Sequence, residues 1–211
     1  WDKYPVEQVA TPEGYARNPE LVINFYNERR KQLLDVVPNA GHLGVADLER
    51  DFNVTVVTQN VDNLHERAGS THVIHLHGEL TKVCSSRDPY NPHFVKELAP
   101  EEYEVKLGDK AGDGTQLRPF IVWFGESVPE IETAIRYVEQ ADIFVIIGTS
   151  LNVYPAAGLL NYVPRAAEVY LIDPKPVDTH VMRPIHVIQK GASEGVKELK
   201  ALLAATQPPL P

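Results

Sequence analysis

Short apolar runs alternate with amphipathic segments along most of the chain beyond residue 53. The runs are strand-sized, rich in β-branched residues and bounded by polar turns. Strands are predicted at 54–58, 73–76, 120–124, 143–147, 168–172 and 185–189, and helices near 62–68, 130–140, 155–162 and 194–204. Near-continuous apolar strands that alternate with helices predict a parallel sheet covered on both faces. The expected fold class is therefore α/β with a Rossmann-like sheet.

Two regions depart from this rhythm and predict a smaller domain. Near the start, Asn18 as cap and Pro19 in the first turn predict a helix that continues to about Val37, followed by a helix from about 39 to 51. The stretch 81–117 is rich in Pro, Gly, Asp and Lys and is too long for a simple connection. The predicted division is a helical part of the small domain at 1–41, a Rossmann-like domain at 42–80 and 118–205, an inserted module at 81–117 and a tail at 206–211.

The charge balance narrows the choice of partners. Lys and Arg number 20 against 29 Asp and Glu, giving a net charge of −9. This is the wrong sign for a phosphate-binding surface, so no nucleic acid partner is expected, whereas a lysine-rich peptide would be attracted. An acidic surface can also serve solubility alone. No apolar run approaches the roughly 18 residues of a membrane-spanning helix, so no membrane partner is expected either.

Cys84 is the only cysteine, and Met182 is the only methionine. A single thiol excludes an internal disulfide and any multi-thiolate metal site, and it fits a reducing cytoplasm. Because the chain begins at Trp1 without an initiator, we expect that an upstream segment is missing.

The ligand crevice of an open parallel sheet lies beyond the carboxyl ends of its strands. After strand 54–58 come the polar residues Gln59, Asn60 and Asp62, each of which taken alone could be a turn or cap residue. After strand 73–76 comes His77, on the same side as His75 and next to a glycine that would let a ligand approach. A structural histidine is equally compatible with that fragment.

Three more clusters follow predicted strands. Trp123-Phe124-Gly125-Glu126 is either a ligand-contacting turn or an ordinary one packed on the core. Gly148, Thr149 and Ser150 lie before a helix, where backbone N–H groups favour an anion such as phosphate. Asp173 could accept hydrogen bonds from a ribose or could simply form the turn before Pro174.

A final pair lies on the first long helix. Tyr26 and Arg29 are three residues apart and therefore share one helical face. Together they combine a hydroxyl with a guanidinium that matches a carboxylate, although an exposed amphipathic face would show the same pattern.

Taken together, these motifs resemble the sirtuin family in order and spacing, over essentially the whole chain. The segments that carry the resemblance are Thr58 to His65 (TQNVDNLH), His75 to Glu79 (HLHGE), Phe124 to Glu126 (FGE) and Gly148 to Ala157 (GTSLNVYPAA). Tyr26-x-x-Arg29 is similar to the signature of class III sirtuins, the desuccinylase and deacylase branch.

The resemblance implies an NAD-dependent protein-lysine deacylase that acts on acidic acyl groups and on acetyl groups. Its partners would be acyl-lysine proteins or peptides, and its products free lysine, nicotinamide and an O-acyl-ADP-ribose. By analogy His77 is the general base, for which an imidazole is suited because its unperturbed pKa is near the working pH.

The resemblance also implies the binding residues. Those for the cofactor NAD are Gln59, Asn60 and Asp62 on the nicotinamide side, and Gly148, Thr149, Ser150, Asp173 and Ala192 on the phosphate and adenosine side. Those for the substrate are Val122, Phe124 and Gly125 around the acyl-lysine, and Tyr26 and Arg29 on the distal carboxylate of a succinyl or malonyl group.

Two departures from the family pattern change the expectation. Sirtuins carry four zinc-binding cysteines in the insert, whereas here only Cys84 stands at one of those places, so we expect no structural zinc. The family's first strand, Gly-rich turn and Phe-Arg pair are also absent before Trp1, so we expect poor NAD binding and slow catalysis by this chain alone.

Two other functions stay open at this point. An NAD glycohydrolase or ADP-ribosyltransferase would release nicotinamide without an acylated peptide. A non-catalytic nucleotide-binding fragment would release none.

Overall fold

The computed structural model describes residues 3–149, 156–176 and 181–206. Its helices are α1 Val6–Val9, α2 Pro12–Arg17, α3 Pro19–Leu34, α4 Ala40–Asp47, α5 Leu64–Ala68, α6 Ile131–Val138, α7 Ala156–Leu160 and α8 Ala192–Thr206. Its strands are β1 Val56–Thr58, β2 Val73–His75, β3 Gly78–Ser85, β4 Lys96–Glu97, β5 Leu117–Ile121, β6 Ile143–Ile147, β7 Glu168–Ile172 and β8 His186–Ile188.

Side-chain caps begin the two predicted N-terminal helices. The side-chain oxygen of Asn18 accepts the Leu21 N–H at 3.2 Å, and Pro19 lies in the first turn of α3. Asn39 and His42 form a reciprocal capping box at the start of α4. The helices begin where the cap residues predict because these side chains satisfy backbone N–H groups that have no partner within the helix. Both end earlier than predicted.

The strands form three sheets within the described residues. β6, β7 and β8 form a parallel sheet in that order, with Ile143 to Ile147 in register with Glu168 to Ile172. β1 pairs with β2, and β4, β3 and β5 form an antiparallel sheet. The α/β Rossmann-like class predicted from the sequence is confirmed by the parallel sheet and its helices.

The predicted strand 120–124 is wrong in both position and partner. The strand is β5, Leu117–Ile121, and it runs antiparallel to β3. The apolar residues 121–124 suggested a buried parallel strand, but the chain turns at Trp123, whose carbonyl accepts the Glu126 N–H at 3.0 Å. The segment 81–117, predicted as an inserted module, contains β4 and most of β3.

The chain is divided into two compact units. The first unit comprises Trp1–Val37, Val57–Asn63 and Ile74–Glu130, and the second comprises Pro38–Val56, Leu64–Val73 and Ile131–Pro211. Residues 118–130, which the sequence assigns to the Rossmann-like domain, thus group with the insert. No helix of the described residues is long and apolar enough to span a bilayer.

Each unit has its own apolar core. In the second unit, Tyr170, Ile172 and Ile188 of the sheet pack with Val196 and Leu199 of α8. In the first unit, Ile23 of α3 packs with Val83 and Val105.

Candidate functional site

His77 lies half-buried between β2 and β3 in the first unit. Its Nδ1 is 3.2 Å from the carbonyl oxygen of Gln59. A carbonyl oxygen can only accept a hydrogen bond, so Nδ1 carries the proton and Nε2 of the neutral ring keeps a basic lone pair. The backbone carbonyl of His77 accepts the Val122 N–H at 2.9 Å. His77 is thus hydrogen-bonded to two predicted binding segments, the one that contains Gln59 and the one that contains Val122.

The loop after β1 carries Gln59, Asn60 and Asp62. The Asn60 N–H donates to the hydroxyl of Thr58 at 3.0 Å, and its carbonyl is 3.1 Å from Nδ1 of His75. The structure therefore brings the amides of this loop together with His77 on one unit, with Asp62 half-buried two residues further along. A polar loop beside an imidazole is an arrangement that can bind and deprotonate a hydroxyl group.

Gly78 adjoins His77 at the start of β3. Its φ is +89°, and an added Cβ would overlap the carbonyl oxygen of Phe120. The backbone of β5 therefore requires a glycine at this position, which lets β3 approach β5 beside His77. The approach of a ligand at the same glycine stays a prediction.

The segment after β5 alternates between the two sides of the chain. Trp123 is 2% exposed, while Phe124 is 66% exposed and Val122 is half-buried. The Phe124 N–H donates to the carbonyl of Ala10 at 3.0 Å, and Gly125 has a φ of +92° and no described atom within 4 Å of a Cβ position. The segment thus presents the exposed ring of Phe124 two residues after Val122, whose N–H donates to the carbonyl of His77, and apolar surface of this kind suits an aliphatic lysine chain.

Tyr26 is buried, at 3% exposure. Its hydroxyl donates to the carbonyl of Val9 at 2.8 Å and accepts the indole N–H of Trp123 at 3.0 Å. Burial raises the pKa of Tyr26 to about 12, so the hydroxyl stays protonated at neutral pH. The one proton of the Tyr26 hydroxyl is therefore donated to Val9, within the first unit.

Arg29 lies on the same face of α3 and is half-buried. Its guanidinium carbon is 4.9 Å from the ring centroid of Phe25, within the range of a cation–π contact. A planar guanidinium stacks on aromatic rings through its face and binds carboxylates through its edge.

The other predicted cofactor residues belong to the second unit. Gly148 and Asp173 directly follow β6 and β7, and Ala192 begins α8, shortly after β8. The carboxyl ends of parallel neighbours meet at one edge of a sheet. Gly148 has a φ of +69° and no described atom within 4 Å of a Cβ position, and Asp173 accepts the Lys175 N–H at 2.8 Å. Thr149 adds a hydroxyl at this edge, while Ser150 lies outside the described residues.

Comparison with known proteins identifies the family. Residues 1–155 match the Sir2 family. The chain belongs to the Sir2 family. A curated NAD-dependent protein deacylase of Bacteroides thetaiotaomicron is 84% identical over 203 residues, covering 96% of this chain and 87% of that protein.

Solved Sir2 structures agree with this assignment. A Sir2 homologue variant bound to ADP-ribose is 33% identical with a TM-score of 0.81, covering 99% of this chain and 85% of that one. A Sir2 homologue–NAD complex is 35% identical with a TM-score of 0.79, covering 98% and 81%. The sirtuin resemblance predicted from the motifs is confirmed.

The residues around Cys84 do not fit the zinc site of sirtuins. Cys84 is a fully buried residue of β3, and its thiol is 3.7 Å from the carbonyl of Pro119 on the neighbouring strand β5. Burial raises the pKa of the thiol to about 12, which opposes the thiolate that zinc requires. Within the described ranges, no cluster of three potential metal ligands includes Cys84.

Hydrogen bonds link the two ends of the insert instead. The Ser85 hydroxyl donates to the carboxylate of Asp113, which also accepts the Thr115 hydroxyl at 2.6 Å. The Ser85 oxygen accepts the N–H groups of Arg87 and Asp88 at 3.0 and 2.9 Å. The residue after Cys84 thus fixes the turn that follows β3.

A buried ion pair supports the Phe124 segment and was not predicted from the sequence. Arg118 and Glu126 form two parallel hydrogen bonds of 2.9 and 3.0 Å, with side chains 4% and 14% exposed. Glu126 also accepts the Trp123 N–H at 2.8 Å and the Tyr90 hydroxyl at 3.0 Å. Burial alone would raise the pKa of Glu126, but the hydrogen bonds and charge of Arg118 lower it overall.

Arg30 is a second buried arginine that the sequence did not distinguish from its exposed neighbours. It donates to the carbonyls of Leu80 and Tyr103 at 2.9 Å each and to the side chain of Asn27 at 2.7 Å. Asn27 in turn exchanges two hydrogen bonds with the backbone of Val105. These contacts attach the face of α3 that carries Tyr26 to the insert.

Proposed function

We propose that this chain is an NAD-dependent protein-lysine deacylase with His77 as its general base. The observation that carries the proposal is the hydrogen bond from His77 Nδ1 to Gln59, which leaves Nε2 basic beside a loop of amides and a carboxylate. The names of the Bacteroides relative and of the NAD complex support the same assignment.

Each unit carries groups of the kind that bind part of a dinucleotide. In the first unit, Gln59, Asn60 and Asp62 have donors and acceptors suited to nicotinamide and its ribose. In the second unit, no described atom lies within 4 Å of a Cβ position at Gly148 or Gly191, which suits the approach of phosphate oxygens to the backbone, and Asp173 has a carboxylate suited to sugar hydroxyls. We assign Thr149, Ser150 and Ala192 to the same half of the cofactor.

The proposed reaction converts acyl-lysine, NAD and water into lysine, nicotinamide and an O-acyl-ADP-ribose. NAD, when bound, supplies the sugar carbon from which nicotinamide leaves and to which the acyl oxygen becomes joined. Nε2 of His77 takes the proton of a ribose hydroxyl, and Nδ1 holds the ring in place throughout. Val122, Phe124 and Gly125 exclude water from the lysine chain.

We further propose that acidic acyl groups are substrates. Arg29 supplies the charge that pairs with a distal carboxylate, and Tyr26 shapes the pocket beside it. Because the Tyr26 hydroxyl donates to Val9, a bond from Tyr26 to the substrate carboxylate requires redirection of that proton. A reducing cytoplasm is the proposed location, compatible with the unpaired thiol of Cys84.

Nicotinamide release measured with succinyl-lysine, acetyl-lysine and unmodified lysine peptides tests the activity. Release that depends on an acylated peptide is expected. Release without one would instead indicate an NAD glycohydrolase or ADP-ribosyltransferase, and binding of NAD without release would indicate a non-catalytic fragment. In His77→Asn, an amide N–H replaces Nδ1 but no basic nitrogen remains, so the loop should persist while activity is lost.

Arg29→Met tests the acyl preference. A charge-assisted hydrogen bond contributes about 1.5–3 kcal/mol, so kcat/KM for succinyl-lysine should fall about 10- to 100-fold. The value for acetyl-lysine should change by less than about threefold. Lys31→Met removes an exposed cation from the same helix as a matched control. Equal losses on both acyl groups would reject the carboxylate role.

A further inference from the structure

Four consecutive backbone carbonyls, those of residues 58–61, all accept hydrogen bonds from the segment 75–80. We call this set the carbonyl ladder. Its outer two members are ordinary backbone pairs, from the Leu76 N–H to Thr58 at 3.0 Å and from the Leu80 N–H to Val61 at 2.8 Å. Its inner two members accept from imidazole rings, with Nδ1 of His77 on Gln59 and Nδ1 of His75 on Asn60.

The two imidazoles replace strand N–H groups where the sheet ends. β1 stops at Thr58, so the carbonyls beyond it have no strand partner to continue the ladder. A polar carbonyl without a partner is costly when partly buried, and the histidine rings satisfy both. The path of the loop that carries Gln59, Asn60 and Asp62 therefore depends on these two side chains.

The two rings make the same bond but differ in what their other nitrogen meets. His75 is 8% exposed, and its Nε2 is 3.9 Å from the carboxylate of Glu79, which also pairs with Lys82 at 2.7 Å. His77 is half-buried and keeps more access to solvent. His77 can therefore reach a ligand with Nε2, whereas the Nε2 of His75 faces a neighbouring side chain.

Asn60 depends most directly on His75. Its N–H is fixed by the hydroxyl of Thr58 and its carbonyl by the imidazole of His75. Loss of the second anchor frees the peptide group between Asn60 and Val61 to rotate. That rotation would change the direction of the Asn60 side chain and of Asp62 beyond it.

We infer that His75 is a positioning residue for the proposed deacylation: it orients the cofactor-binding loop 59–62 through Nδ1 while His77 performs the proton transfer. The inference rests on the proposed function, because the loop is assigned to the nicotinamide side of NAD. It adds to that function a second histidine, which touches neither substrate nor cofactor.

A pair of isosteric variants isolates the Nδ1 bond. In His75→Asn, the amide nitrogen lies close to the position of Nδ1 and can still donate to Asn60. In His75→Leu, a side chain of the same shape cannot donate. Both variants lose Nε2 and every contact it makes, including the one with Glu79, so the difference between them reports the donor at the Nδ1 position.

We expect His75→Leu to lower kcat/KM for NAD about 10- to 100-fold and His75→Asn to stay within about threefold of the unchanged chain. Thermal unfolding of each variant shows whether it is folded, and rates are taken on folded protein. The pH dependence of the rate should keep its midpoint in both variants because His77 remains the base. Equal activities in the two variants, or a displaced midpoint in His75→Asn, would overturn the positioning role.

Two measurements on the protein do not need activity. Nitrogen-15 spectra of labelled histidine should show the Nδ1-protonated tautomer at His75, and amide exchange at residues 60–63 should be faster in His75→Leu than in His75→Asn. The opposite tautomer at His75, or identical exchange, would overturn the inference. A chain that releases no nicotinamide from any acylated peptide would reject the proposed function, while these two measurements would still decide whether His75 holds the loop.

Discussion

The antiparallel sheet of the first unit and the parallel sheet of the second are stabilised by different interactions. Around β6, β7 and β8, the contacts are apolar, and Leu171, Ile172 and Leu199 are almost completely buried. Around β3 and β5, the apolar core is joined by buried polar groups, with Arg118, Ser85 and Arg30 each under 5% exposed. Burial of apolar area needs no particular partner, whereas a buried charge stabilises only when its partners are in place.

This difference changes what each sheet tolerates. A parallel sheet that packs through apolar faces loses stability in proportion to the volume removed from it. A sheet supported by an ion pair depends on single atoms and on their protonation. The same segment carries Val122, Phe124 and Gly125, so the polar network also determines the placement of the proposed substrate surface.

The largest expected effect is at the buried ion pair. Glu126→Leu leaves the Arg118 guanidinium, the Trp123 N–H and the Tyr90 hydroxyl without their shared acceptor. Removing one partner of such a pair costs about 3–5 kcal/mol, measured as the free energy of unfolding in denaturant.

The double variant Arg118→Met/Glu126→Leu provides the control for this prediction. It should be more stable than Glu126→Leu alone because no unpaired charge remains buried. A double variant that loses the full sum of the two single losses would show that the residues are independent.

A cavity in the core beside the parallel sheet should lower the free energy of unfolding somewhat less. Leu199 of α8 is 1% exposed in the core with Ile172 and Ile188. Leu199→Ala should lower the free energy of unfolding by about 2–4 kcal/mol, with little dependence on pH or salt. Leu202→Ala, on the exposed side of the same helix, is the matched control and should change stability much less. Equal losses in both variants would contradict the assigned core.

Acid should destabilise the antiparallel sheet more than the parallel sheet. We expect this difference in stability to be smaller than the losses caused by the two substitutions above. Hydrogen bonds from Ser85 and Thr115 lower the pKa of Asp113 to about 2, and Glu126 also has a lowered pKa. A carboxyl group whose pKa is lower in the folded than in the unfolded state stabilises the fold above the unfolded value and loses that contribution as pH falls through the folded value. The stability of the insert should therefore decrease between about pH 4 and pH 2.

Amide-exchange protection factors of β5 and β7, compared across this range, measure the effect. β5 should lose protection more steeply than β7. The second unit has its own acidic group with a lowered pKa, Asp47 beside Lys200, but this pair is solvent-exposed and contributes less. In Asp113→Asn the carboxyl can no longer titrate, so the difference between the sheets should shrink. An unchanged difference would assign it to other groups.

The smallest expected effect is that of a chelator. Since one buried thiol replaces the usual four, removal of divalent metal should leave the thermal unfolding temperature of the insert unchanged, and metal analysis should find no stoichiometric zinc. One zinc per chain, or destabilisation by the chelator, would contradict an insert held by hydrogen bonds.

The sequence predicts the apolar sheet better than the polar one. The strands 143–147 and 168–172 match β6 and β7 because their apolar runs are continuous and bounded by turns. The prediction places this strand at 120–124 instead of Leu117–Ile121. The reason is that Arg118 and Pro119 are atypical of a strand, while the apolar residues beyond β5 form a turn. Hydrophobic periodicity carries no information on which of several arginines is buried.

In the candidate site, too, local patterns could be predicted from the sequence and long-range contacts could not. The residues Gln59, Asn60 and His77 could be grouped from the sequence because each directly follows a predicted strand. The contact between His75 and Asn60 could not, since it depends on the register of a loop, although two histidines at the end of a predicted strand, His75 and His77, are a usable signal. The hydroxyl of Tyr26, bound by Trp123 nearly a hundred positions away, left no local pattern at all.

The buried thiol of Cys84 provides a chemical probe for local opening of the insert. Alkylating reagents attack the thiolate, and a fully buried thiol with a pKa of about 12 offers almost none at neutral pH. Reaction must wait until the packing that covers Cys84 opens. The rate of mass gain on incubation with iodoacetamide therefore reports how often that packing opens, and because the chain has one cysteine, every molecule labelled at a thiol records that event.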